Sequence, residues 1–315
     1  MGVLANMRDI QKMLDVIVDY IYDTDDVIFL DYPLHHNVGD SLILLGNIEF
    51  FNYHNINVKK YYTADSYSIS EIANNITKNT TILFHGGGNF GDLYPKHQKF
   101  RETVVDNFKD NRIIVLPQTA HFNSTVEKDK SKKIFNSHKN LILCARDQST
   151  FELFNEFAEK VLLLPDMAHC LYGTLPKNKK TKHTLYFLRK DIEKIDNESL
   201  ISETSIDWSD LISKFDNKFK NLLIKILNIK KIYNFNIIDK LVFMIWVFHI
   251  RKISNKAAIL FSSHDVVITS RLHGHILSCL VDTPSQIIDN SYGKNLSYYN
   301  QWTKSLDLAT KYEEL

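Results

Sequence analysis

Short apolar runs alternate with amphipathic stretches over most of the chain, and this alternation limits its fold more than any other feature. Val27–Asp31, Thr81–Phe84, Ile113–Leu116, Leu141–Cys144 and Val161–Leu164 each read as a strand buried on both faces. Helical patterns lie between them at Ser41–His54, Phe100–Phe108 and Thr150–Lys160. Buried strands separated by helices predict an α/β fold with a largely parallel sheet. Pro, Asn, Thr and Lys crowd Thr174–Lys182, as in a linker. A second α/β set follows, with strands at Thr184–Leu188, Asp265–Ser270 and Gln286–Ile288 and a helix at Arg271–Leu280. Residues 1–176 and 183–315 are therefore expected as two units with a cleft between them. Polar residues gather just past the carboxyl end of each strand, the edge at which open α/β sheets hold ligands.

Charge narrows the partners. Lys and Arg number 38 against 37 Asp and Glu, a formal charge of +1, so no global pull toward nucleic acid is expected. Three widely spaced cysteines, Cys144, Cys170 and Cys279, predict a reduced, cytoplasmic protein without a structural zinc. Asp9, Asp15 and Asp19 interrupt the N-terminal stretch, which is amphipathic rather than a signal peptide. The longest apolar run, Leu241–Phe248, is far short of the roughly 20 residues that span a bilayer.

Residues 217–256 stand apart. Nine basic side chains face Asp239 alone, a balance of +8 that leaves −7 on the remainder. Leu222, Ile226, Ile229, Ile232, Phe235 and the 241–248 run, with Trp246, lie between the lysines. Such a stretch suits the surface of an anionic membrane, or else packs its apolar side inward and leaves solvated lysines.

The chemistry-bearing residues sit at strand ends. Gly86-x-Gly88-x-x-Gly91 has the spacing of a dinucleotide-binding turn, but no acidic residue follows the next strand, and Asn89 and Asp92 occupy the loop. The match to that fingerprint is weak, and a tight strand-to-helix turn accounts for the glycines without excluding a functional role. Ser270–His275 lies where a strand becomes a helix, whose first amides attract anions. There Arg271 could fork onto a carboxylate or phosphate and His273 could move a proton. Arg146 holds the equivalent place after Leu141–Cys144, where it either pairs with Asp147 or a neighbour as a surface ion pair or reaches the cleft. His35, His36 and Asp40, like Asp166 and His169, lack a third ligand at metal-binding spacing, so no metal is expected.

Taken together, several strings resemble the polysaccharide pyruvyl transferases: His36-Asn-Val-Gly-Asp40, Gly86-Gly-Gly-Asn-Phe-Gly-Asp92, Pro117-Gln118, Ala145-Arg-Asp147, Pro165-Asp166-Met-Ala168 and Ser270-Arg-Leu-His-Gly274. Their order over about residues 26–302 carries the resemblance; Asp191–Asn255 contributes nothing to it. The resemblance implies a fold similar to the GT-B glycosyltransferases, two Rossmann-like domains with the site between them. It implies phosphoenolpyruvate as donor and a sugar bearing a pyruvate ketal as product, with no cofactor. Arg146, Arg271, Leu272 and His273 match the family's donor-binding residues, with Lys294 a further cation. His273 is the expected proton donor, and Asp40 and Asp92 the candidates for orienting or deprotonating acceptor hydroxyls. Both aspartates could equally cap the helices that follow them. His36, Asn37, Gly88 and Asn89 are expected on the acceptor side. The acceptor is expected to be a polyprenyl-diphosphate-linked sugar, with the 217–256 segment resting on the inner face of the plasma membrane. A nucleotide-sugar glycosyltransferase of the same fold and a non-catalytic glycan-binding relative are the alternatives. The absence of any Glu between Asp265 and Lys294 disfavours the first. The presence of Arg146, Arg271 and His273 together disfavours the second.

Overall fold

The structure, a computed structural model, describes residues 6–190, 205–233, 238–289 and 293–313. Helix α1 (Met7–Lys12) buries Met7 and Ile10, and a 3-10 turn beyond it buries Leu14 and Ile17. The first α/β set then runs β1 (Val27–Leu30), α2 (Val38–Tyr53), β2 (Val58–Tyr62), α3 (Ile69–Ala73), β3 (Thr81–Phe84), β4 (Gly87–Gly91), α4 (Pro95–Asn107), β5 (Arg112–His121), α5 (Thr125–Asn136), β6 (Leu141–Ala145), α6 (Gln148–Phe154) and β7 (Lys160–Leu163). The second set comprises β8 (Lys182–Phe187), α7 (Lys214–Tyr233), α8 (Ile238–Ser262), β9 (His264–Thr269), α9 (Leu272–Leu280), β10 (Ser285–Ile287), α10 (Lys294–Tyr298) and β11 (Ala309–Lys311).

The chain folds as the apolar runs predict. One seven-stranded sheet has the order β2-β1-β3-β5-β6-β7, with β4 beside β5, and one four-stranded sheet has the order β11-β10-β9-β8. Every pairing is parallel. Residues of β1, β3 and β6 are buried throughout, because helices cover both faces of the sheet.

Two strands depart from the sequence reading. The glycine-rich segment is not a phosphate-cradling turn but a strand. β3 pairs with the first half of the ten-residue β5, and β4 pairs with its second half, past Pro117. Gly91 must be glycine there: its φ is +114°, and a Cβ would lie 1.8 Å from the His121 carbonyl oxygen. β2 was hidden by Lys59 and Lys60. It is an edge strand, and α8 covers it through Tyr61 stacked on Phe243 at 3.7 Å.

The basic segment forms α7 and α8, which pack as a pair. Trp246, expected to favour membrane contact, is instead fully buried. Its indole N–H donates to the Pro33 carbonyl (2.7 Å) and its ring stacks on His36. Phe235, together with the side chains of Lys230, Lys231 and Ile232, lies outside the described residues, as do Asn290, Ser291 and Tyr292. Among the described residues, no helix is long and apolar enough to cross a membrane.

Candidate functional site

The carboxyl ends of the two sheets open on one cavity of about 420 Å³. Arg146, which directly follows β6, and Arg271, which precedes α9, both line it, so the two guanidiniums share one space as expected. His273, Leu272 and Lys294 line it from the second sheet, and Asn37, Asp40, Gly88 and Asn89 from the first.

Each arginine is anchored by a carboxylate. Arg146 does not pair with Asp147. Its Nη1 donates to Asp166 Oδ2 (2.5 Å) and its Nε to Thr119 Oγ1 (2.9 Å). Asp147 instead caps α6 by accepting from the Thr150 amide (2.9 Å). Arg271 makes a two-point fork, Nε to Asp207 Oδ1 (2.8 Å) and Nη2 to Asp207 Oδ2 (2.5 Å). Carboxylates therefore stand directly beside both cations. Two long cations need buried acids to hold their planes in position, and Asp166 and Asp207 supply them.

Asp166 also joins the two sheets. It is fully buried after β7, and its Oδ2 lies 3.3 Å from His273 Nε2. Burial alone would raise its pKa, but His273, Arg146 and the Ala168 amide outweigh that and hold the carboxyl well below the usual carboxylate range. The ring of His273 is seated against α2. A Cβ on Gly39 would lie 2.7 Å from His273 Nδ1, so only glycine lets the start of α2 approach so closely. His169, beside Asp166 in sequence, is turned away to meet the Tyr298 hydroxyl (2.9 Å).

On the acceptor side the structure keeps some expected residues and removes others. Asn37, not Asp40, caps α2 by accepting from the Gly39 amide (3.0 Å), which leaves the Asp40 carboxylate at the cavity, 3.6 Å from His35 Nε2. Asp92 does not line the cavity. Its oxygens accept from the Asn123 amide (2.9 and 2.8 Å) and the Ser124 amide (2.7 Å), fixing the turn into α5, so its assignment to acceptor hydroxyls is corrected. His36 does not line it either. Its ring stacks on Trp246 at 5.2 Å, and neither ring nitrogen has a hydrogen-bond partner among the described residues. Burial pushes its pKa down to about 4, so it stays neutral and packs rather than binds.

The sequence reading missed a polar cluster at the same edge. Asp31, buried and at φ +63°, takes His97 Nδ1 at 2.7 Å and Arg101 Nη2 at 3.3 Å. Arg101 in turn donates to Asn89 Oδ1 (2.6 Å), which also accepts from Gln118 (3.0 Å). Asp31 and His97 line the cavity, as does Arg189 from the second half. Asp31 directly follows an apolar strand, and that position was the one available signal; nothing in the sequence pairs it with residues 66 and 70 positions later. Among the described residues, no group of three or more His, Cys, Asp or Glu side chains could hold a metal ion.

The family profile described as Polysaccharide pyruvyl transferase matches residues 37–292. The Bacillus subtilis protein named "Putative pyruvyl transferase EpsO" is 34% identical, with 98% of this chain and 97% of that protein covered. "Pyruvyl transferase 1" of Schizosaccharomyces pombe is 28% identical over 90% of this chain and 71% of its own length. A crystal structure of a functionally uncharacterized protein from Klebsiella pneumoniae superposes with a TM-score of 0.64 at 18% identity, covering 97% of this chain and 99% of that one, and so shares the fold. With a matching profile over most of its length and a relative aligned nearly end to end, the chain belongs to the polysaccharide pyruvyl transferase family.

Proposed function

We propose that the protein moves the pyruvyl group of phosphoenolpyruvate onto two hydroxyls of a polyprenyl-diphosphate-linked sugar, forming a cyclic ketal and releasing inorganic phosphate. The observation that carries this reading is the single cavity onto which Arg146 and Arg271 open from opposite sheets, with His273 beside them. A small ligand with a carboxylate and a phosphate needs two cationic anchors, and each guanidinium offers a planar donor set matched to one such group. Arg189 and Lys294 add charge on the same wall.

In this reading His273 protonates the methylene carbon of the donor, leaving C2 electron-poor. The Asp166 carboxylate, 3.3 Å from the ring, fixes how the imidazole presents its proton. One sugar hydroxyl adds to C2, the C2–O bond to phosphate then breaks with its electron pair going to phosphate, and the second hydroxyl closes the ring. Two hydroxyl protons are released; one restores His273 and the other leaves with the phosphate. Asp40 and the His97–Asp31 pair, on the opposite wall, are the groups placed to receive them. Arg146 and Arg271 neutralise the departing phosphate.

The test is ligand-induced stabilisation followed by turnover. Phosphoenolpyruvate raises the melting temperature by mass action, whereas a UDP-sugar does not. His273→Gln keeps that shift and lowers pyruvyl transfer about 10²–10⁴-fold, read as loss of the one-pyruvyl mass gain on the acceptor. Stabilisation by the UDP-sugar alone, or normal turnover of His273→Gln, overturns the reading.

A further inference from the structure

Helix α7 has one broad apolar band, only part of which is packed. Leu223 and Leu227 are buried, while Phe215, Leu222 and Ile229, each seven residues from the next, are 70, 54 and 52% exposed. Heptad spacing places those three along one line of the helix. On α8 the pattern repeats: Val242, Phe243, Trp246 and Ile250 are buried, whereas Leu241, Met244 and Phe248 are more than half exposed. At the Phe215 end of the α7 stripe, Phe215 and Phe219 meet Leu241, Met244 and Phe248 of α8 in a shallow groove along the seam of the helices. Monomeric proteins seldom leave so many large apolar side chains together in water.

The surroundings of this face are cationic. Lys218 and Lys225 are exposed and flank the α7 stripe, and Lys252 lies over the Phe248 ring at 4.3 Å. The whole 217–256 stretch carries +8, so a second copy of the chain placed face to face would bring like charges together. Exposed aromatic and aliphatic side chains rimmed by lysines are instead complementary to a surface that is negatively charged above and apolar beneath. The face also lies close to the cavity. On the inner side of α8, Trp246 donates to the carbonyl of Pro33, and Pro33 itself lines the cavity.

We infer that the outer face of α7 and α8 docks on an anionic lipid bilayer, holding the acceptor wall of the cavity beside the lipid surface. The docking stands on the two helices alone; only its use, presenting a lipid-linked sugar to the cavity, rests on the proposed function.

Co-sedimentation with vesicles of zwitterionic phospholipid, with or without phosphatidylglycerol, tests it. The intact protein pellets with the anionic vesicles only, and less so as salt rises. Lys218→Glu and Lys225→Glu each weaken partition about fivefold or more. The double variant Phe215→Ser, Phe248→Ser weakens it with no change in charge. Both sets of variants keep the phosphoenolpyruvate-induced melting shift, since none of these side chains lines the cavity. No pelleting with anionic vesicles, or pelleting that neither set alters, overturns the inference. A lipid-free dimer abolished by Phe215→Ser, Phe248→Ser assigns the face to a second copy and also overturns it. The melting shift, read in the same samples, reports separately on the proposed function.

Discussion

The two walls of the cavity are built with opposite chemistry. The second half contributes Arg189, Arg271, His273 and Lys294, and among the described residues no carboxylate from that half lines the space, since Asp207 is buried behind Arg271. The first half contributes Asp31, Asp40, His97 and Asn89, with Arg146 as the exception among them. One wall is thus cationic, and the other carries the carboxylates that line the cavity. Two sheets of the same parallel design acquire different charge through the residues placed just beyond their strands.

Substitutions can break this contrast. The largest effect is expected from Arg271→Ala. It removes a guanidinium from the cavity and leaves buried Asp207 without its counter-ion, held by the Trp208 and Lys190 amides, costing roughly 3 kcal/mol of stability by urea titration. It also abolishes the phosphoenolpyruvate melting shift. Asp166→Asn comes next, because it frees Arg146 and His273 together. We expect turnover to fall at least ~10²-fold. Stability also falls, and its dependence on acid weakens. The folded pKa of Asp166 is depressed, so its contribution is present above the unfolded value near ~3.9 and is lost as the pH drops below it toward the folded value. The variant's urea midpoint should be flatter than that of the parent protein below about pH 4.

Asp40→Asn probes the opposite wall. It should leave donor-induced stabilisation intact while slowing pyruvyl transfer about 10–10²-fold; equal loss of both would show that the walls are not separable. The smallest effect belongs to His36→Phe, outside the cavity. His36 titrates at about 4 when folded and near ~6.5 when unfolded, so the unfolded chain binds more protons in between and stability falls as pH drops through that window. Replacing it should remove up to ~1.4 kcal/mol per pH unit of that slope without altering turnover.

Much of this architecture is legible because a parallel sheet writes itself as buried apolar runs. Ile82–Phe84 and Ile142–Cys144 could hardly be anything else. The same logic hid β2, whose lysines suit an edge, and β4, whose glycines suit a turn until the far end of β5 is seen beside them. Asp40 and Asp92 look alike in sequence, each following a glycine near a strand end. Only the fold shows that backbone amides consume one and leave the other at the cavity. Asp207 and Arg189 lay across a segment without motifs, and Asp31 meets His97 and Arg101 only through the packing of α4 on β4. Trp246 misled because an aromatic in a basic run looks alike whether it faces lipid or core.

The C-terminal residues reach back across the molecule. Trp302 donates its indole N–H to the carbonyl of Arg146 (2.7 Å), and the Tyr298 hydroxyl accepts from the Asp166 amide (2.9 Å). Both bonds are buried, so swinging the halves apart would strip them at about 1–3 kcal/mol for each group left unsatisfied. These struts tie the far end of the second set to the strand ends of the first, so cutting the chain before Tyr298 should loosen an arginine more than one hundred and fifty positions upstream.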